Sequence, residues 1–161
     1  MYLIDTNFLG TLETLYPDDV FPSLWRTLSP IVFSSSVFFH YEVNAELKVW
    51  NSPRYSWYAN GVNPHQILTP DTKELNSYQE VTEWAQLKRV PRYRQSAVDE
   101  FLDCADSWLV ASAARHNAAI VTNEKSAPQS QKKVKIPDAA NAFGVRCIDP
   151  LSFLRSAKIV I

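Results

Sequence analysis

The chain has 161 residues, 46% of them hydrophobic, which is enough to bury one good core and too little to make two independent domains comfortable. Sixteen basic and 17 acidic residues leave a net charge of -1, so no global basic field draws in a polyanion, and any such partner must be held by local patches. Cys104 and Cys147 lie far apart in apolar contexts and are expected to be core thiols, while His40, His65 and His116 lack zinc-site spacing.

Tyr2–Ile4 is a short apolar run that stops abruptly at Asp5-Thr6-Asn7, the pattern of a buried strand delivering polar groups at its carboxyl end. Asp5 also interrupts the first apolar stretch, so no secretion signal is expected. No segment approaches the roughly 20 apolar residues of a membrane span, and the expected location is the cytoplasm. A helix is predicted from about Phe8. After Pro17 a second amphipathic helix follows, carrying Val20, Phe21, Leu24, Trp25 and Leu28.

Ile31–Ser34 is predicted as a strand, and the serines after it as caps of a helix with Val37, Phe38, Tyr41, Ala45 and Leu47 at helical spacing. That helix sets Glu42 and Glu46 on one face. From Asn51 to Pro64 the composition turns to aromatic, proline and asparagine, which reads as a loop or short lid. A third strand is predicted near Ile67 and Leu68. Pro70 and Asp71 then open a helix bearing Leu75, Tyr78, Val81, Trp84 and Leu87.

A basic segment follows, with Lys88, Arg89, Arg92 and Arg94. Helix resumes at Ser96, and Asp106 begins a separate alanine-rich helix that Asn117 ends. Ala118–Val121 and Val145–Ile148 are predicted strands flanking a short helix over Pro137–Phe143, with Gly144 as its stop, and a last helix starts at Pro150. Strands alternating with helices predict right-handed crossovers and a mostly parallel sheet covered on both faces, in one domain over residues 1–161.

Ligands of such sheets gather beyond the carboxyl ends of the strands, where Asp5 and Thr122-Asn123-Glu124 stand. Glu42 and Glu46, four residues apart, repel each other by about 0.2–0.5 kcal/mol unless a cation neutralises them. Asp99, Glu100, Asp103 and Asp106 form another acidic series, and Asp106 gains from the dipole at a helix start. Gathering such carboxylates without a metal raises their pKa values; magnesium or manganese prefers these hard oxygen ligands and keeps them ionised.

The ordered pieces Tyr2-Leu3-Ile4-Asp5-Thr6-Asn7, Glu42-Val43-Asn44-Ala45-Glu46-Leu47, Asp106-Ser107-Trp108-Leu109-Val110-Ala111 and Ile120-Val121-Thr122-Asn123-Glu124 resemble the PIN-domain superfamily. The resemblance spans nearly the whole chain and is nearest to a single-domain branch related to VapC-type toxins. It implies a three-layer α/β/α sandwich around a mostly parallel sheet of four to five strands. It also implies Mg2+- or Mn2+-dependent endoribonuclease activity, a cognate antitoxin as partner and a homodimer.

Residue by residue, the resemblance makes Asp5, Glu46 and Asp106 metal ligands, with Asn7 and Thr122 orienting the site. Glu124 is the preferred fourth acid and Asp138 its alternative, because typical members carry an Asp soon after the threonine-bearing strand. Glu42 and Asp103 stay outside the site. Lys125, Lys132, Lys133 and Lys135 are expected to hold RNA phosphates, as is the Lys88–Arg94 segment, and Trp50, Tyr55, Trp57 and Tyr58 to stack unpaired bases. The rival reading is a PIN-like binding or regulatory module without catalysis. A haloacid-dehalogenase-like phosphatase is disfavoured because Asn7 stands where its second Asp belongs.

Overall fold

A computed structural model describes residues 1–50 and 53–157. Five strands, β1 (Tyr2–Ile4), β2 (Val37–His40), β3 (Ile67–Leu68), β4 (Ala119–Val121) and β5 (Cys147–Ile148), form one sheet in the order β3-β2-β1-β4-β5, and every pairing is parallel. The central strand β1 pairs Tyr2 with Val37 on one side and with Ala119 on the other. The expected α/β architecture with a parallel sheet is the one observed.

The helices are α1 (Thr6–Leu15), α2 (Pro22–Val32), α3 (Tyr41–Lys48), α4 (Pro53–Gly61), α5 (Thr72–Glu83), α6 (Gln95–Asp103), α7 (Ala105–His116), α8 (Ile136–Ala142) and α9 (Pro150–Ser156). Alternation along the strands sorts them into two layers. Tyr2 and Phe39 face one side, where Tyr2 meets Phe153 of α9 at 5.2 Å and Phe39 meets Tyr58 of α4 at 4.9 Å. Phe8 of α1 joins them edge-on against Phe153. His40 faces the other side and stacks on Trp108 of α7, which in turn stacks on Tyr78 of α5 at 3.8 Å. The sheet is therefore the middle of three layers, with Leu3, Ile4, Ile120 and Val121 fully buried at its centre.

Several local expectations change. Ile31–Ser34 is not a strand: α2 continues through Pro30 to Val32. The strand lies later, at Val37–His40, in residues predicted to begin a helix. The helical spacing of Val37, Phe38 and Tyr41 gives way because Val37 and Phe38 are paired to β1 and Phe39 and His40 to β3, which satisfies their backbone groups in the sheet. His40 then caps α3, its Nδ1 accepting the Glu42 N–H at 3.1 Å.

The expected loop from Asn51 to Pro64 is largely the helix α4, followed by a 3-10 turn at Pro64–Gln66; Asn51 and Ser52 lie outside the described residues. The aromatic residues there are packing groups. Tyr58 is 1% exposed and donates its hydroxyl to Asn44 Oδ1 at 3.0 Å. Trp57 meets Trp25 edge-on and donates its indole N–H to Ser29 Oγ at 2.9 Å. Asn117 ends α7 in the left-handed conformation at φ 50°, and Gly144 follows α8 at φ 67°, as their residue types allow. Among the described residues, no helix is long and apolar enough to cross a membrane.

Candidate active site

Because β1 and β4 are neighbours, with Ile4 opposite Val121, the residues that follow them emerge side by side. Asp5 is 3% exposed and Thr122 2%. The Thr122 hydroxyl donates to Asp5 Oδ2 at 2.6 Å, and Asp5 Oδ1 accepts the Asn7 N–H at 3.4 Å as the cap of α1. Asn7 closes the arrangement from α1: its Nδ2 donates to Thr122 Oγ1 at 3.3 Å, and its Oδ1 accepts the Asn123 N–H at 2.9 Å. The Glu124 N–H donates to Thr122 Oγ1 at 3.1 Å.

Glu46 arrives from α3. Its Oε2 accepts the Thr6 hydroxyl at 2.6 Å and its Oε1 the Ala105 N–H at 2.9 Å, so it ties the start of α1 to the start of α7. Asp106 sits in the first turn of α7. Together Asp5, Glu46, Asp106 and Glu124 line a cleft of about 670 Å³, with Thr6, Asn7, Gly10, Thr11, Thr14, Leu15, Trp50 and Lys133 as its other walls.

The cleft is strained electrostatically. Burial pushes Asp5 up to about 7, with the charges of Asp106 and Glu124 adding to it against the hydrogen bonds from Thr122 and Asn7. Burial also lifts Asp106 to about 6, helped by Glu124 and Glu46. The two thiols are half-buried beside these acids: burial pushes both up to about 12, Cys104 with the help of Asp106, and Cys147 with that of Asp5 and Glu124. Both stay protonated near neutrality and leave the carboxylates as the anionic donors.

Asp5 and Asp106, both held above the usual carboxylate range, share the cleft with Glu46 and Glu124, and carboxylate oxygens are the donors that hard divalent cations take. That donor chemistry fits magnesium or manganese. In the arrangement seen, among the described residues, no three acidic, histidine or cysteine side chains close on a common point.

The family model "Domain of unknown function (DUF4411)" matches residues 2–161. The chain belongs to the DUF4411 family. No curated protein matches its sequence. The crystal structure of FitAcB from Neisseria gonorrhoeae shares its fold, with a TM-score of 0.55 and 14% identity over 94% of this chain and 99% of that chain.

The other acid and the lysines of this DUF4411 chain fall in distinct places. Asp138, in the first turn of α8, accepts the Ser126 hydroxyl and the Ala127 N–H at 3.0 Å; it anchors the 122–135 segment and is not among the residues lining the cleft. Glu124 lines the cleft with both oxygens engaged, by Lys135 Nζ at 2.8 Å and the Ile136 N–H at 2.8 Å. Lys133 reaches the cleft and pairs with Glu100 at 3.3 Å. Lys125 and Lys132 are exposed. In the other basic segment Lys88 pairs with Glu83 at 3.0 Å, Arg89 is buried, and Arg92 and Arg94 are exposed. Of the aromatic residues expected to stack bases, Trp57 and Tyr58 are committed to the interior, and Trp50 stands in the cleft wall.

Sequence reasoning passed over Thr6, although it sits between Asp5 and Asn7 and its hydroxyl holds Glu46. It also passed over the polar stripe Asn7, Gly10, Thr11 and Thr14, whose helical spacing marks the face of α1 turned to the cleft. Nothing local in the sequence pointed to the Ala105 N–H, which binds Glu46 only because α3 and α7 abut.

Proposed function

We propose that this chain is a divalent-metal-dependent endoribonuclease of the PIN kind, acting as the toxin of a toxin–antitoxin pair. The observation that carries the reading is the convergence of Asp5, Glu46, Asp106 and Glu124, from four separate segments, on one cleft at the carboxyl end of the sheet. The likeness in fold to FitAcB fits it.

Asp5, Glu46, Asp106 and Glu124 are the residues that hold Mg2+ or Mn2+ in this reading. When bound, the ion supplies an activated water and stabilises charge on a phosphodiester undergoing in-line displacement. The chain's own groups set the stage. Thr122 and Asn7 fix the orientation of Asp5, and Thr6 and the Ala105 N–H fix that of Glu46. The hydroxyl-bearing face of α1 and Lys133 offer the donors and the positive charge that a nucleic-acid backbone requires.

One observation favours a second reading, a PIN-like binding or regulatory module without catalysis: Glu124 is already held by Lys135 and the Ile136 N–H, which competes with metal binding at that residue. The test is cleavage of a mixed structured and single-stranded RNA pool by the purified protein with and without Mn2+ or Mg2+, beside Asp5→Asn. Metal-dependent cutting abolished by the substitution is the expected result. No cutting by the wild type with either ion rejects the nuclease in favour of the binding module.

A further inference from the structure

Arg89 belongs to a basic run, yet it is 7% exposed and turned inward. Its guanidinium lies 3.6 Å from the centroid of the Tyr93 ring. Nη1 donates to the Pro91 carbonyl at 2.7 Å, and Nη2 reaches 39 residues along the chain to the Pro128 carbonyl at 2.6 Å. Burying a guanidinium costs free energy that only a full set of hydrogen bonds offsets. Here its donors serve to fasten one loop to another.

The loop so fastened is the 122–135 segment. Its first half is held by Asp138, through the Ser126 hydroxyl and the Ala127 N–H, and its far end by the pairing of Lys135 with Glu124 and by Val134, which is 1% exposed. Between these anchors the backbone is tied down at the Pro128 carbonyl by Arg89 and at the Gln131 carbonyl by the Arg94 N–H at 2.8 Å. Lys132 and Lys133 directly follow that tether, and Lys133 is the lysine of this loop that stands in the cleft wall. A lysine on an untethered loop spends backbone as well as rotamer freedom on each binding event; backbone tethers remove the first of these costs.

We propose that Arg89 is a positioning residue, which through its grip on Pro128 presents Lys133 to the phosphates of an RNA strand in the cleft. This rests on the part of the proposed function that seats an RNA strand in the cleft. The guanidinium never meets the substrate.

The test is binding of a fluorescein-labelled single-stranded RNA oligonucleotide in EDTA, followed by anisotropy across salt concentrations for wild type, Arg89→Lys, Arg89→Met, Lys133→Met and the Arg89→Lys/Lys133→Met pair. Arg89→Lys keeps the net charge and a milder packing change, so it stands in if Arg89→Met fails to fold. The expected result is a loss of about five- to tenfold in affinity for Arg89→Lys and for Lys133→Met, the range of one charge-assisted contact. The salt slope falls by about 0.7 in each, one single-strand phosphate contact. The pair binds no more weakly than Lys133→Met alone.

Wild-type affinity in a folded Arg89→Lys protein, multiplying losses in the pair, or a wild type that binds no RNA each overturns the proposal. Manganese-dependent hydrolysis of bis(p-nitrophenyl) phosphate by the wild type is measured separately. If the wild type cuts neither this diester nor RNA while the binding pattern holds, the nuclease reading fails and the role of Arg89 stands.

Discussion

The Thr122 hydroxyl donates to Asp5 Oδ2 at 2.6 Å, joining the ends of two adjacent parallel strands through the least exposed acid of the cleft. Thr122→Val removes the donor that favours the Asp5 anion and leaves the Glu124 N–H and the Asn7 amide without their acceptor. The expected cost is about 1–3 kcal/mol of stability, measured by urea unfolding. Cleavage falls, and its alkaline-going pH limb moves upward as Asp5 holds its proton more tightly. An unchanged pH profile in the folded variant refutes this role.

Asp5 at about 7 and Asp106 at about 6 make metal-free stability depend on pH in a defined direction. Both stand above the usual 3.8, so between about pH 4 and 7 the folded chain binds more protons than the unfolded one, and stability falls as pH rises through that window. In EDTA at pH 8, Asp5→Asn is expected to stabilise the protein by on the order of 2 kcal/mol, raising Tm by roughly 4–8 °C. At pH 5 less than half of the gain remains, and it vanishes below about pH 4. Equal gains at both pH values contradict a buried carboxylate under strain.

Cations that bind only the folded cleft raise its stability by mass action. At about a hundredfold excess over Kd, Mn2+ adds about 2.7 kcal/mol, or roughly 5–10 °C in Tm. EDTA reverses the rise, and Asp5→Asn or Asp106→Asn abolishes it. A rise that survives both substitutions moves the metal away from these residues.

Gln66 offers a test remote from the cleft. It is 4% exposed, and its Nε2 donates to the Val32, Ser34 and Val37 carbonyls at 3.0, 3.0 and 2.8 Å, holding the turn between α2 and β2. Gln66→Leu orphans those carbonyls and is expected to cost about 2–4 kcal/mol in chemical unfolding. Metal-induced stabilisation, measured as a shift in Tm, is expected to persist in the variant.

How much was legible divides along physical lines. The first strand, the helix from Asp106, its stop at Asn117, the strand ending in Val121 and the helix stopped by Gly144 were all readable, because each pairs a periodic apolar run with a local terminator. The second strand was misplaced, because Ile31–Val32 and Val37–Phe39 are equally apolar, and Pro30 reads as a break although α2 runs through it. Only pairing with β1 and β3, and the grip of Gln66 on the turn, separates the two.

The alternation of strands and helices, and the candidate acids with Glu124 and Asp138 both open, could be read from the chain alone, since short-range spacing encodes periodicity, caps and residue chemistry. Tertiary structure alone decided that Glu46 bridges Thr6 and Ala105, that Glu124 and not Asp138 lines the cleft, and that Arg89 turns inward to hold Pro128. The bonds made by Glu46 and Arg89 join residues from 39 to 59 positions apart, set by which elements pack together, and no local pattern records them.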